Sequence, residues 1–139
     1  MTKKVLLIDH EPNALKLITE MVTSLGYECD SVLDPNEGLL KLRSERYGII
    51  ISNLVMPGIN GIGVVTEALR MDNTLQVILV TAKVGLNSAI EAMKAGAAEY
   101  IQKPFNKEQI ESALVRVLEK KKLIDENRKL KARLNHVYK

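Results

Sequence analysis

Four short segments of the chain carry polar side chains suited to handling a phosphoryl group. These segments are Asp9-His10-Glu11, Asn53, Thr81 and Lys103. Carboxylates can hold Mg²⁺, an aspartate can accept a phosphoryl group, and threonine and lysine can bind its oxygens. Asn53 is the exception, because it places an uncharged amide where this chemistry needs an acid.

The elements that must position these residues form a regular alternation. Five apolar runs alternate with stretches of helical spacing, and the runs are Lys4–Ile8, Glu28–Val32, Gly48–Ser52, Gln76–Val80 and Ala98–Ile101. The first, third and fourth runs are almost continuously hydrophobic, which is typical of parallel strands covered on both faces. The alternation predicts an α/β, doubly wound sheet with right-handed crossovers. The polar segments then meet at the carboxyl ends of the strands. Periodicity alone leaves the strand order open.

Capping residues predict several helix boundaries. Asp34 and Pro35 fit the N-cap and first turn of a helix, and Asn106 fits the N-cap of the last helix. Gly26 and Gly96 each follow a helical stretch, where glycine commonly ends a helix.

Composition indicates one globular domain with an aliphatic core. The chain has 139 residues, 46% hydrophobic and 4% aromatic, enough for one core. Its single cysteine, Cys29, has no intramolecular partner, no signal peptide is recognised and no apolar run approaches membrane-spanning length. These features predict a soluble, cytoplasmic protein that does not associate with a membrane. No glycine-rich phosphate loop or activated nucleophile is visible, so we do not expect an enzyme.

The positive charge is concentrated near the C-terminus. Residues 1–105 hold 10 Lys/Arg and 12 Asp/Glu, whereas residues 106–139 hold 10 Lys/Arg and 5 Asp/Glu. Such a block can attract nucleic acid or simply solvate a helix. The solvated helix is favoured, because acids are interspersed and no aromatic residues flank the lysines.

The last helix is predicted to continue beyond the globular body. No Pro or Gly follows Asn106. Beyond Lys120-Lys121-Lys122, the apolar residues move to a different face of the helix. Asn127 and Leu134 then fit heptad position a, while Glu126 and Lys131 fit g and e′. We expect a globular domain over residues 1–120 and a helical linker over 121–139. A homodimer through this helix is favoured over an inert linker, and its seam is Leu123, Asn127, Leu130, Leu134 and Val137.

Several motifs in fixed order resemble the receiver domain of two-component response regulators. The matching segments are Leu6–Pro12, Met56–Gly61, Val80–Ala82 and Tyr100–Phe105, within residues 3 to about 120. The resemblance implies a flavodoxin-like, five-stranded parallel sheet of order 2-1-3-4-5 with five helices. It also implies a cis bond before Pro104.

The resemblance also implies roles for individual residues. Lys103 matches the phosphate-pairing lysine, Thr81 the switch hydroxyl and Tyr100 the switch aromatic. Val55 matches the residue whose backbone carbonyl binds the metal, and Asp9 matches the first of two acids.

Two positions depart from the family pattern. Asn53 replaces the phosphoacceptor aspartate, and His10 replaces the second acid of the pocket. An amide cannot form an acyl phosphate, and Mg²⁺ loses two of three expected carboxylates. We therefore expect very weak Mg²⁺ binding and no cofactor. A transition-metal site built from Asp9, His10 and Glu11 is the less favoured alternative.

The predicted function is a degenerate receiver that acts by protein–protein contact. The helical extension resembles the linker that joins receivers to the ATPase domain of transcription activators, so the chain is expected to be the N-terminal regulatory piece of such a protein. Expected partners are a second copy, a histidine kinase or an effector domain, and nucleic acid only through a further domain. One alternative is an ordinary phosphoacceptor receiver with an engineered Asn53. Another is a nucleic-acid binder that uses the basic C-terminal segment.

Overall fold

The computed structural model describes residues 4–82 and 86–137, which form five strands and five helices in strict alternation. The strands are β1 Lys4–Ile8, β2 Glu28–Val32, β3 Ile49–Asn53, β4 Gln76–Thr81 and β5 Glu99–Gln102. The helices are α1 Pro12–Ser24, α2 Pro35–Ser44, α3 Gly61–Met71, α4 Leu86–Ala95 and α5 Lys107–Val137. The predicted alternation is confirmed. Three strands differ from their predicted limits by one residue, so Asn53 and Thr81 end their strands instead of following them.

The sheet has the order β2-β1-β3-β4-β5, with neighbouring strands parallel. This confirms the doubly wound, flavodoxin-like fold that the resemblance implied. In the register, Asn53 lies beside Val80 on the neighbouring strand. The ends of β1, β3, β4 and β5 therefore lie side by side at the carboxyl edge of the sheet.

Each face of the sheet is covered by helices because the strands alternate their side chains between two cores. One core includes Leu6, Ile50 and Leu79 together with side chains from α3 and α4. The other includes Leu7, Ile51 and Ile78 together with side chains from α1 and α5. Burial on both faces explains why β1, β3 and β4 read as continuous hydrophobic runs.

The predicted helix boundaries are also found. The Asp34 side chain accepts a hydrogen bond from the amide of Asn36 at 2.9 Å, with Pro35 in the first turn. Asn106 and Gln109 exchange hydrogen bonds between side chain and amide, each 2.9 Å long, which is a capping box at the start of α5. Gly26 and Gly96 have φ angles of 94° and 112°, as expected for residues that end a helix.

A polar network closes the amino edge of the sheet. Lys4 pairs with Glu45 at 2.8 Å and with Asp30 at 3.1 Å, and the Tyr47 hydroxyl donates to the Asp30 carboxylate. That hydroxyl holds the pKa of Asp30 below its ordinary value, with help from the Lys4 ammonium. Burial and the same carboxylate raise the pKa of Tyr47. The network ties β1 and β2 to the loop between α2 and β3.

The last helix extends well past the sheet. The α5 side chains that face the core are Ile110, Ala113, Leu114 and Val117. Residues 120–137, called the extension below, continue the same helix beyond the amino edge of the sheet. Across residues 4–82 and 86–137, no helix is long and apolar enough to cross a membrane.

Gly61 is the point where α3 approaches the end of β3 most closely. A Cβ atom at this position would lie 2.7 Å from the Asn53 carbonyl oxygen and 2.8 Å from the Leu54 Cα. Both atoms belong to the backbone and cannot rotate away. Glycine is therefore required for α3 to pack beside Asn53.

Replacing Gly61 with alanine should destabilise the fold. We expect Gly61→Ala to lower the free energy of unfolding by about 2 kcal/mol or more, because overpacking displaces backbone. Gly63→Ala is the control, since its Cβ would meet the Ile59 side chain at 2.7 Å and that side chain can turn away. Urea unfolding measures both variants. Equal stability of the two would contradict the role given to Gly61.

Candidate functional site

The polar residues predicted from sequence converge at the carboxyl edge of the sheet. Asp9 follows β1, Asn53 ends β3 and Thr81 ends β4, and all three side chains are buried. Lys103 follows β5 and reaches across the edge to Asp9. The structure thus brings together a carboxylate, an amide, a hydroxyl and an ammonium group in one crevice.

Asp9 and Lys103 form the central ion pair of this crevice. The Lys103 Nζ atom lies 2.9 Å from Asp9 Oδ2, and the carboxylate is only 5% exposed against 24% for the lysine. The other oxygen, Oδ1, accepts a hydrogen bond of 3.0 Å from the Glu11 amide. Both carboxylate oxygens therefore already have a donor within the chain.

Asn53 uses its side chain to close the loop after β3. Its Nδ2 atom donates a hydrogen bond of 2.7 Å to the backbone carbonyl of Val55. This contact needs an amide, because a carboxylate oxygen in the same place would repel the carbonyl oxygen. The Asn53 amide is thus hydrogen-bonded to the backbone carbonyl that the family resemblance assigns to the metal.

His10 lies at the rim of the crevice. Its Nδ1 atom is 3.7 Å from Asp9 Oδ1, and 43% of its side chain is exposed. This separation is too long for a strong hydrogen bond. The ring adds no hard oxygen ligand beside Asp9.

The switch residues predicted from the resemblance flank the crevice. Thr81 is buried at the end of β4, and the half-buried Tyr100 packs against the core beneath α3 and α4. The peptide bond between Lys103 and Pro104 is cis, as the resemblance implied. Thr81 and Tyr100 thus lie on β4 and β5, next to Lys103.

The residues present do not fit a Mg²⁺ ion. Mg²⁺ prefers an octahedral shell of oxygen ligands that includes carboxylates. Asp9 is neutralised by Lys103, the Val55 carbonyl accepts the Asn53 amide, and position 10 presents an imidazole. In the described part of the chain, no group of three or more His, Cys, Asp or Glu residues is arranged to hold a metal ion.

The predicted dimer residues lie far from the crevice, on the extension at the opposite edge of the sheet. Leu123, Leu130 and Leu134 are 66%, 57% and 55% exposed. Asn127 is also exposed, while the side chain of Val137 lies outside the described residues. The structure therefore separates the pocket from the predicted seam.

Comparison with known proteins identifies the class of domain. The response regulator receiver domain matches residues 5–115 of the chain. The chain therefore belongs to the response regulator receiver domain family, whose members are signalling modules of two-component systems.

Individual relatives agree with this assignment. The C4-dicarboxylate transport transcriptional regulatory protein DctD of Rhizobium meliloti is 32% identical over 127 residues, covering 91% of this chain and 28% of that protein. The response regulator ArlR of Staphylococcus saprophyticus is 31% identical over 125 residues, covering 88% of this chain and 56% of that protein. The chain thus spans between roughly a quarter and just over a half of these relatives.

Solved structures show the same fold. A response regulator receiver domain protein from Clostridium thermocellum has a TM-score of 0.83 and 28% identity, covering 89% of this chain and 99% of that one. The Vibrio cholerae chemotaxis protein CheY4 has a TM-score of 0.79 and 26% identity, covering 84% of this chain and 99% of that one.

Sequence reasoning missed a set of contacts between the extension and the loop that joins α3 to β4. Lys121 and Arg128 bind Thr74 and Asn73 in that loop. The sequence did contain a signal for the turn itself. Asp72, Asn73 and Thr74 have the composition of a turn in which the aspartate side chain accepts a hydrogen bond from the backbone two residues later. Nothing in the sequence pattern linked this turn to a lysine 47 residues later.

Removing Lys103 should cost more stability than removing Asp9. Lys103→Met leaves a buried carboxylate without its cation, and we expect the free energy of unfolding to fall by about 1–3 kcal/mol, less than for a fully buried pair. Asp9→Asn should cost less, because the longer lysine side chain can turn into solvent.

Urea unfolding at pH 7 tests this order, with Lys107→Met as the control for losing an exposed lysine. A smaller loss for Lys103→Met than for Asp9→Asn would show that the ion pair does not hold the crevice together.

Proposed function

We propose that this chain is a degenerate receiver that signals by protein contact and does not accept a phosphoryl group at the usual position. The observation that supports this most directly is the hydrogen bond from Asn53 to the Val55 carbonyl. It joins the residue in the phosphoacceptor position to the residue in the metal-binding position. Phosphoryl acceptance is lost with the carboxylate, and the Asn53 amide competes with a metal ion for the Val55 carbonyl.

The rest of the crevice supports the same proposal. A receiver that accepts phosphate needs a nucleophilic carboxylate and a cation that neutralises the incoming phosphoryl oxygens. Here the nucleophile is replaced by an amide, and the remaining buried acid is bound by Lys103. The crevice is thus close to electrically neutral without any ion.

The alternative is an ordinary receiver whose aspartate was replaced by engineering. His10 argues against it, because a single change at position 53 suffices to block phosphorylation. In that alternative, the Asn53→Asp chain alone should regain full function.

Phosphoryl uptake distinguishes these two proposals. The unchanged chain, Asn53→Asp, and Asn53→Asp with His10→Asp are each incubated with Mg²⁺ and acetyl phosphate, and phosphorylation is read by intact mass. We expect no uptake by the unchanged chain, little by the single variant and clear uptake by the double variant. Beryllofluoride binding, followed by amide NMR shifts, gives a readout independent of turnover.

Each outcome has a defined meaning. Full uptake by Asn53→Asp alone would favour the engineered alternative. Uptake by the unchanged chain at Asn53 would end the degenerate-receiver proposal.

We further propose that the extension forms a parallel homodimer. Its exposed leucines lie on one stripe, Leu123, Leu130 and Leu134, with Asn127 at a position that favours two strands. No described side chain of the body covers this stripe. Exposed leucines repeated at heptad spacing are the feature expected of an unpaired coiled-coil seam.

Dimerisation can be tested with two matched leucine variants. Leu130→Asp should make the chain monomeric, because it puts a charge in the centre of the seam. Leu17→Asp on α1 is the control, since Leu17 is 55% exposed but lies off the seam. Sedimentation equilibrium over a wide concentration range measures both against the parent chain. A parent chain that stays monomeric throughout, or equal effects of the two variants, would rule out the seam.

The relatives support a proposal for the wider role. DctD is described as a transcriptional regulatory protein, and we propose that this domain regulates a transcription activator in the cytoplasm. Its partners would be a histidine kinase or an attached effector domain, and contact with DNA would come from that effector. If instead the basic extension itself bound duplex DNA, binding would weaken steeply with salt and would not depend on Leu130.

A further inference from the structure

The three consecutive lysines at the base of the extension are not equivalent. Lys120 and Lys122 are exposed, whereas the Lys121 side chain is only 15% exposed. Its ammonium group donates a hydrogen bond to the Thr74 hydroxyl in the loop between α3 and β4. It also lies 3.6 Å from Asp125, one turn further along α5.

A second contact joins the same loop to the extension two turns later. Arg128 donates a hydrogen bond of 2.6 Å from its guanidinium group to the Asn73 side-chain oxygen. The loop therefore binds the extension at two points that lie two helical turns apart.

Asp72 holds the loop in the shape that these contacts need. One of its oxygens accepts hydrogen bonds from the Thr74 amide at 2.9 Å and from the Thr74 hydroxyl at 2.6 Å. Burial acts to raise the pKa of Asp72, but these two bonds outweigh it and hold the pKa below its ordinary value. Lys121 and Arg128 lower it further. Thr74 thus donates to Asp72 and accepts from Lys121.

Helix geometry relates these contacts to the leucine stripe. Successive residues are about 100° apart around a helix. Lys121 and Arg128 therefore point within about 20° of one another, in the direction of the core residues Leu114 and Val117. Leu130 points roughly 180° away from Lys121. The face that contacts the body turns from apolar to polar after Val117, and the leucines occupy the opposite face.

No described side chain of the extension belongs to either core cluster. A groove of about 1040 Å³ separates it from the body and is lined by Leu42, Tyr47, Leu69, Leu75 and charged residues. Among the described residues, only the core cluster that includes Leu7 and Ile78 contains α5 side chains, and its last member on α5 is Leu118. The hydrogen bonds of Lys121 and Arg128 thus join the extension to the body across an open groove.

We propose that the turn Asp72–Thr74 is a clamp that fixes the direction of the extension through Lys121 and Arg128. The clamp holds the leucine stripe away from the body, so that a second copy of the chain can pair with it. The partner choice rests on the homodimer proposed above. In such a dimer, the two bodies lie on the outer sides of the helix pair at a defined separation.

Distance measurement within one chain tests the clamp directly. In a Cys29→Ser background, nitroxide labels are placed at Glu20→Cys on α1 and His136→Cys near the end of the extension, both exposed positions. The labelled chain is diluted into excess unlabelled chain, so that dipolar spectroscopy reports distances inside one protomer. We expect one narrow peak for the parent and a broad distribution for Lys121→Met with Arg128→Ala.

The control variant also replaces one lysine by methionine and one arginine by alanine, but at other positions of the extension, Lys122→Met with Arg133→Ala. It should keep the narrow peak. Asn73→Ala approaches the clamp from the loop side and should also broaden the distribution. Circular dichroism checks that helical content is unchanged, so that broadening reports a change of direction and not unfolding of the extension.

The two proposals fail separately. A broad distribution in the parent, or a narrow one in the clamp variant, would overturn the clamp whether or not the chain dimerises. A monomeric parent with a narrow peak that the clamp variant broadens would overturn the homodimer and keep the clamp.

Discussion

The crevice depends on the hydrogen bond between the Asn53 amide and the Val55 carbonyl. It pairs the buried Asn53 side chain with a backbone acceptor in the loop after β3, and a buried amide without a partner is costly. Gly61 leaves space for this turn by carrying no side chain against the Asn53 backbone. Asp9 and Lys103 then neutralise each other beside it. The crevice is complete without a ligand, which distinguishes it chemically from a pocket built to bind a cation.

Much of the fold could be predicted from the sequence because its signals are local. Buried parallel strands require long aliphatic runs, and the caps at Asp34 and Asn106 are formed by residues close in the chain. The strand order, in contrast, is not determined by local signals. It depends on which strands meet after long crossovers, so it came from the family motifs and not from periodicity.

The sequence predicted which residues line the crevice, but it did not predict which of them contact each other. Motif spacing placed Asp9, Asn53, Thr81 and Lys103 at one edge, and the structure brings them there. The bond from Asn53 to Val55 depends on the turn after β3, which side-chain type alone does not specify. The contacts of Lys121 and Arg128 were less accessible still, since they join segments about 50 residues apart. A charged residue on a helix usually remains in water, so nothing local singled out these two.

The uninterrupted course of α5 gives the molecule a mechanical property. Its 31 residues correspond to a rod of about 47 Å, with its first turns beside the crevice and its far end well outside the body. A tilt of about 5° at the base would displace the tip of such a rod by roughly 4 Å. A small change of tilt near Lys103 would therefore become a displacement of several ångströms at the far end of α5, and the contacts of Asn73 and Thr74 with the extension oppose such a tilt.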